Sequence, residues 1–262
     1  MIKLLESPSV TAAVNLLSVW PDSLYTAYTL LPLSLMHSSD GVWIQTDGEN
    51  RPVAVLSKPQ DGFLRIAAKE NADFEELRAF LNSFGTCCLQ ASPAVLQVLG
   101  ILPQTTFSLM ALETETEPTR TVAYVYDGFR PFYDLVVRTL RTPPDSLPEA
   151  VQNRLYNEWL SRTARGVFHG FTHVTAAYTD ENILAATAFA DILGDFAYLR
   201  EVACAPEYRR QGYASSCVRT LCRDLRDDVA HIFLSCAPDN ELFYQKSGFQ
   251  KCVDLEMGFL TR

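Results

Sequence analysis

The 262-residue chain has 31 acidic and 22 basic side chains, and its net charge of −9 argues against nucleic acid as a partner, because nucleic-acid binding requires clustered Lys and Arg. Its hydrophobic content of 48% includes no apolar run long enough to span a membrane, and its first six residues are too short and too quickly acidic for a signal peptide. Seven cysteines without metal-type spacing and four scattered histidines predict no metal site and buried thiols in a reducing cytoplasm.

The first half of the sequence is predicted to contain both strands and helices. Residues 42–56 have the pattern of a hairpin around a polar turn. Phe63–Ala68 and Cys87–Ala91 are predicted strands, and residues 74–84 between them are a predicted helix. This order indicates an α/β domain.

A domain boundary is predicted near residue 115. Residues 1–118 carry 13 acidic and 6 basic side chains, whereas residues 119–262 carry 18 and 16. Residues 112–119 are polar, lack apolar periodicity and end in Pro-Thr, which is typical of a linker. We therefore predict two domains, residues 1–115 and residues 116–262.

The second half begins with a predicted strand and two helices, followed by a hairpin and two further strands. The hairpin turns at residues 179–182, and the strand that follows it leads directly into a glycine-containing turn. In chain order, these predicted elements are the strand 120–126, the helices 130–140 and 147–164, the hairpin strands 172–178 and 183–192, and the strands 195–204 and 231–236.

The turn after residue 204 is the most informative feature of the second half. Arg209 and Arg210 precede Gln211, Gly212, Tyr213 and Ala214, which gives the pattern Arg-x-x-Gly-x-Ala at the start of a helix with one apolar face. A strand–turn–helix junction of this kind presents unpaired N–H groups and the positive end of the helix dipole. Gly212 lets a ligand approach the backbone without meeting a Cβ atom. The pattern predicts a site for an anionic, phosphate-bearing cofactor.

This segment resembles the pyrophosphate loop of the GNAT superfamily of acetyl-CoA-dependent N-acetyltransferases. Downstream, the residues from Phe243 to Phe249 read Phe-Tyr-Gln-Lys-Ser-Gly-Phe, which is similar to the family's second signature, Tyr-x-Lys-x-Gly-Phe. The two signatures occur in the family's order with a predicted strand between them, and the resemblance extends from about Thr119 to the end of the chain. It implies an α/β (α+β) GNAT fold, in which helices flank a central, mostly antiparallel mixed sheet.

The first half is predicted to be a smaller, degenerate GNAT-like copy in tandem with the second, with an unrelated α/β domain as the alternative. Its strand Phe63–Ala68 is similar to residues 198–203, and a helix and a strand follow in both halves. At the place of the phosphate loop, residues 69–73 carry Glu70 and Asp73 and no glycine. Because carboxylates repel pyrophosphate, we expect no cofactor in this half.

The resemblance implies that acetyl-CoA is the co-substrate. It also implies that acetyl-CoA binds to the end of the predicted strand 195–204, to the glycine-containing turn after it and to the second signature. Asn240 lies only four residues before Tyr244, and this short loop weakens its assignment. The implied cofactor-binding residues are Val202, Ala203, Cys204, Arg209, Arg210, Gln211, Gly212, Tyr213, Ala214, Ser215, Asn240 and Tyr244.

The resemblance also implies two catalytic residues. Tyr244 is the candidate acid for the departing thiolate, since a phenol and a thiol have similar pKa values; alternatively, it is a packed side chain that positions the cofactor. Glu201 is the candidate base, directly or through water; alternatively, it is a surface glutamate paired with Arg200. Backbone N–H groups of residues 202–204 would stabilise the carbonyl oxygen. An acyl-cysteine on Cys204 or Cys236 is disfavoured, because neither has a neighbouring histidine in the sequence.

We therefore predict an N-acetyltransferase that moves an acetyl group from acetyl-CoA to a primary amine by direct attack in a ternary complex. The alternative is a catalytically inactive acyl-CoA-binding regulatory module. The expected partner is a small-molecule or peptide amine, with no nucleic acid, membrane or metal, and the expected state is a cytoplasmic monomer or homodimer.

Overall fold

The computed structural model describes residues 1–5, 10–20, 23–35, 41–58, 63–123, 128–140 and 148–260. The elements up to residue 112 are β1 (Ile2–Leu4), α1 (Val10–Val19), α2 (Leu24–Leu30), β2 (Gly41–Thr46), β3 (Pro52–Lys58), β4 (Phe63–Ala68), α3 (Phe74–Asn82), β5 (Cys87–Ala91), α4 (Pro93–Leu99) and β6 (Pro103–Leu112). Those that follow are α5 (Arg130–Leu140), α6 (Glu149–Phe168), β7 (Thr172–Tyr178), β8 (Leu184–Leu193), β9 (Phe196–Cys204), α7 (Tyr213–Leu225), β10 (His231–Cys236), α8 (Glu241–Gln245) and β11 (Phe249–Leu260).

The chain forms two compact units that do not follow a single cut in the sequence. The first unit contains Met1–Met110, Ser235–Glu241 and Lys251–Arg262, and the second contains Ala111–Leu234 and Leu242–Gln250. The sequence prediction placed one boundary after residue 115 and did not include this return of the C-terminal residues to the first unit. That residues 1–115 and 116–262 are separate domains stays a prediction.

The second unit contains a sheet with the strand order β10-β9-β8-β7. β7, β8 and β9 pair antiparallel, whereas β9 and β10 pair parallel and are joined through α7. The apolar face of α7 is buried, and the helix contacts β7 and β8. On the other face, α5 and α6 contribute Phe132, Val136 and Trp159 to a core that includes Phe189.

The first unit has the same connectivity over its first five strands. β1, β2, β3 and β4 pair antiparallel in sequence order, and α3 then leads to β5, which pairs parallel with β4. Its core packs Leu77 and Leu81 of α3 against Leu64 and Ile66 of β4. The strand order in this unit continues as β5-β11-β6, so the last strand of the chain lies between two strands from the first half.

The two units are therefore topological copies. In each unit, two helices precede three antiparallel strands, and a helix then leads to a strand that pairs parallel with the third. The copy in the first unit is smaller: its crossover helix α3 has 9 residues, whereas α7 has 13. This agrees with the prediction of a GNAT-like first half.

Most element boundaries fall within a few residues of the predicted ones. α6 continues to Phe168, four residues beyond the predicted end, and α3 ends at Asn82, before a turn at Gly85 with φ +75°. Of the predicted strand 120–126, residues 124–126 lie outside the described part of the chain, and Ala123 forms a single antiparallel bridge to Ala176. Among the described helices, none is long and apolar enough to cross a membrane.

Candidate active site

The carboxyl end of β9 is distorted by a bulge at the predicted base. Thr187 of β8 pairs with Ala203 and Phe189 pairs with Arg200, so two residues of β9 oppose one residue of β8. Glu201, one of these two, has a left-handed backbone with φ +50°. A bulge breaks the simple alternation of side chains, and the assignment of Glu201 to the face opposite Val202 and Cys204 by alternation alone does not hold here.

The Glu201 side chain is the centre of a buried ionic network. Trp159 Nε1 donates to Glu201 Oε1 at 3.1 Å and Oε2 at 3.0 Å, and Arg200 Nη1 lies 2.5 Å from Oε2. Arg162 on α6 approaches Oε1 at 3.7 Å, and Arg200 also donates from Nε to Asp191 at 2.6 Å. Only 12% of the Glu201 side chain is exposed. The pairing with Arg200 is therefore real, but it lies in the interior rather than at the surface.

The loop after β9 ends in a helix N-terminus that no side chain caps. Arg210 has φ +62° and Gly212 has φ +87°, and α7 begins at Tyr213 without a capping side chain at Gly212. Arg209, Arg210 and Gln211 are exposed. Successive residues of this kind turn backbone N–H groups toward one point, which is a geometry suited to anions. The structure thus places residues 209–215 in one strand–turn–helix junction directly after β9.

The segment predicted as a linker packs against this junction. The Ser216 hydroxyl accepts from the N–H groups of Thr119 at 3.2 Å and Arg120 at 3.1 Å. A Cβ atom at Gly212 would lie 3.1 Å from Thr119 Oγ1. Gly212 is therefore required both by its left-handed backbone and by a close neighbour, whereas the sequence interpretation gave only the approach of a ligand. The polar composition of residues 112–119 gave no signal of this packing.

The second signature is held by the same segment. Gly248, with φ +93°, accepts from the N–H groups of Glu113 at 3.0 Å and Thr114 at 3.2 Å. A Cβ atom at Gly248 would stand 1.7 Å from the Thr114 carbonyl oxygen, which no side chain could tolerate. Arg219 of α7 also donates to the carbonyls of Glu117 at 3.0 Å and Lys246 at 2.6 Å. Residues 112–120 therefore contact both predicted cofactor signatures.

Tyr244 lies on the short helix α8 and is half-buried. Its ring makes edge contacts with Phe243, at 4.8 Å between centroids, and with Phe249, at 6.0 Å. Asn240 ends the 3-10 turn Pro238–Asn240 directly before α8, and the turn belongs to the first compact unit. The aromatic contacts hold the Tyr244 ring, and its role at the cofactor stays a prediction.

Cys204 and Cys236 lack the features of a nucleophile. Burial raises the pKa of the Cys204 thiol, although Arg209 and the Ala214 N–H act in the opposite direction. Burial and Glu241 raise the pKa of Cys236 to about 11. A thiol of this kind carries little thiolate near neutral pH. Cys252 is exposed, which corrects the expectation that all seven cysteines are buried. Within the described ranges, no group of metal-binding side chains occurs.

In the first unit, a side chain occupies the N–H donors at the equivalent helix N-terminus. The Asp73 carboxylate caps α3, accepting from the N–H groups of Glu75 at 3.1 Å and Glu76 at 3.0 Å. These are the donors that a phosphate would need. In the second unit, the N-cap residue of the equivalent helix α7 is Gly212, which has no side chain to occupy these donors.

Comparison with known proteins gives a family match for part of the chain. Residues 129–249 match the model of the acetyltransferase (GNAT) family. These residues form a GNAT domain. The match includes β9, the loop, α7, the turn Pro238–Asn240 and the second signature, whereas residues 112–120 and the capped helix α3 of the first unit lie outside it. The family match supports an acyltransferase.

Solved structures resemble the whole chain in fold. A tandem GNAT protein from the clavulanic acid biosynthesis pathway is 12% identical, with a TM-score of 0.61 over 99% of this chain and 98% of that one. A GNAT-family acetyltransferase from Colwellia psychrerythraea is 15% identical, with a TM-score of 0.59 over 99% and 100%. A GCN5-related N-acetyltransferase from Sphaerobacter thermophilus is 13% identical, with a TM-score of 0.63 over 99% and 95%. A search of curated proteins found no match.

Proposed function

We propose that the GNAT domain is an N-acetyltransferase that moves an acetyl group from acetyl-CoA to a primary amine. The observation that carries this proposal is the uncapped N-terminus of α7, where Arg210 and Gly212 both have left-handed backbones. Such a junction can donate several N–H groups to an anion that has several acceptor oxygens. The pyrophosphate of coenzyme A has this chemistry, and the family match supports the same ligand.

The residues present fit this co-substrate. Backbone N–H groups of residues 211–215 would hold the pyrophosphate, and the exposed side chains of Arg209 and Arg210 would add charge. The end of β9, from Val202 to Cys204, would bind the pantetheine arm through its backbone. Acetyl-CoA supplies the acetyl group as a thioester, whose carbonyl carbon an amine can attack once the amine has lost its proton.

Two side chains would move protons in this reaction. Tyr244 would donate its hydroxyl proton to the sulfur as the carbon–sulfur bond breaks. Glu201 would accept the amine proton through a bound water, since its carboxylate already accepts from Trp159 and Arg200. Backbone N–H groups at the β9 bulge would stabilise the negative charge on the acetyl oxygen. After transfer, Glu201 would release its proton to solvent and Tyr244 would regain one from solvent, which restores both side chains without a cysteine nucleophile.

Thiol release tests the proposal. The protein is supplied with acetyl-CoA and a panel of small-molecule amines, peptide N-termini and lysine peptides, and free coenzyme A thiol is measured. We expect release that depends on one class of amine and on intact Tyr244. Tight acetyl-CoA binding by calorimetry without release for any amine would contradict the enzyme and leave the acyl-CoA-binding module.

A further inference from the structure

Arg120 lies outside the residues that match the family model and still contacts the phosphate loop. Its Nε donates to the Gln211 carbonyl at 2.6 Å, and its guanidinium stacks on the Tyr213 ring, 4.2 Å from the centroid. Both contacts fall on the residues that flank Gly212. The Arg120 side chain is therefore placed at the N-terminus of α7, where the proposed function puts the cofactor phosphates.

The position of Arg120 is fixed by its backbone as well as by its side chain. Its N–H and that of Thr119 both donate to the Ser216 hydroxyl in the first turn of α7. Three residues before Arg120, the Glu117 carbonyl accepts a hydrogen bond from the Arg219 side chain at 3.0 Å. An arginine anchored at both backbone and Nε loses little further freedom when its remaining donors bind a ligand.

The charge at this point is unbalanced. Arg120, Arg209 and Arg210 are exposed around the same loop, and none of them forms an ion pair within the part of the chain that the structure describes. The Arg120 Nη groups have no hydrogen-bond partner among those residues. Three exposed guanidinium groups beside a helix N-terminus favour the binding of an anion there.

We propose that Arg120 is a cofactor-binding residue whose Nη groups bind a phosphate of coenzyme A. This inference rests on the proposed function, and it extends the site to the segment that joins the two halves of the sequence. Through its Nε, Arg120 also holds the loop carbonyl at Gln211, so one side chain contacts both the loop and the ligand.

Calorimetry on the full-length chain tests this inference. Acetyl-CoA and 3′-dephospho-acetyl-CoA are titrated into the wild type, Arg120→Gln and Arg223→Gln at two salt concentrations. Arg223 is the matched control, because it lies about 15 Å along α7 from the loop and pairs with Asp224 at 3.3 Å. We expect Arg120→Gln to raise the Kd for acetyl-CoA about tenfold at low salt, since a charge-assisted hydrogen bond is lost. Its Kd should also respond less to salt than the wild-type Kd.

The dephosphorylated ligand identifies which phosphate is bound. A penalty that disappears with 3′-dephospho-acetyl-CoA supports a contact to the 3′-phosphate, and a penalty that persists supports a contact to the pyrophosphate. Wild-type affinity in Arg120→Gln would overturn the inference. So would a loss of affinity with an unchanged salt dependence, because Arg120 would then only shape the loop. A wild-type protein that does not bind acetyl-CoA would overturn the proposed function itself.

Discussion

Backbone conformation singles out individual residues at the predicted site. In the second unit, Asn182, Glu201 and Arg210 are the described residues other than glycine with positive φ, and two of them lie at the end of β9 and in the loop. A left-handed backbone costs such residues about 1–2 kcal/mol. The surrounding contacts, from Trp159 to Glu201 and from the loop to α7, hold this strain in place. These contacts stabilise the backbone conformation at the end of β9 and in the loop.

A substitution at Gly212 tests the proposed cofactor site most directly. We expect Gly212→Glu to abolish measurable acetyl-CoA binding, because it places bulk and negative charge at the uncapped N-terminus of α7. Gly212→Ala is the control: it carries the same left-handed strain and the contact to Thr119 without the charge. Calorimetry and circular dichroism measure binding and folding. Normal affinity in a folded Gly212→Glu protein would contradict the site.

Substitutions at Tyr244 distinguish a role in proton transfer from a role in binding the cofactor. Tyr244→Phe keeps the ring contacts with Phe243 and Phe249 and removes the proton, so kcat should fall about 10²-fold with little change in the Kd for acetyl-CoA. Tyr244→Ala removes the ring as well and should also weaken binding. If Tyr244→Phe binds poorly but turns over normally, Tyr244 positions the cofactor instead.

Glu201 has a structural role whatever its chemical one. Glu201→Gln removes the negative charge beside Arg200 and Arg162, and we expect the free energy of unfolding to fall by about 3 kcal/mol. Glu158→Gln, which breaks the exposed pair with Arg154, should cost less than about 1 kcal/mol. Urea unfolding measures both. If Glu201 is also the base, the folded variant should lose kcat at a saturating amine concentration; an unchanged kcat would restrict Glu201 to the structural role.

At the scale of whole elements, local patterns predicted most of the fold. The hairpins β2–β3 and β7–β8 followed from alternating side chains around polar turns, and α7 followed from one apolar face. The packing of residues 112–120 could not be predicted, because its hydrogen bonds use backbone groups that every sequence has. The bulge in β9 was missed for a related reason: register depends on the neighbouring strand.

The contact between residues 112–114 and the second signature can be broken selectively. Gly248→Ala would place a methyl group 1.7 Å from the Thr114 carbonyl oxygen, and we expect a loss of about 3 kcal/mol in the free energy of unfolding. Gly170→Ala has a similar positive φ and open space, so it should cost about 1 kcal/mol from backbone strain alone. Urea unfolding measures both losses. Equal free energies of unfolding for the two variants would show that residues 112–114 can move away from the new methyl group without loss of stability.

At the scale of the molecule, the two copies of one topology differ at the N-terminus of the crossover helix. Asp73 caps α3 in the first unit, whereas the N-terminus of α7 in the second has no side-chain cap. We therefore expect one acetyl-CoA per chain by calorimetry and none in Gly212→Glu. Binding of one equivalent by that variant would locate the cofactor in the first unit, and two equivalents in the wild type would show that Asp73 does not exclude it.

The last strand sets an order of events during synthesis. β11 pairs antiparallel with β5, with Cys87 opposite Leu260 and Ala91 opposite Glu256. Domains usually fold in sequence order as they leave the ribosome. Here β11 lies between β5 and β6, so the sheet of the first unit lacks this strand until residues 249–260 have been made. Loss of residues 249–260 would thus damage the half of the protein that is made first.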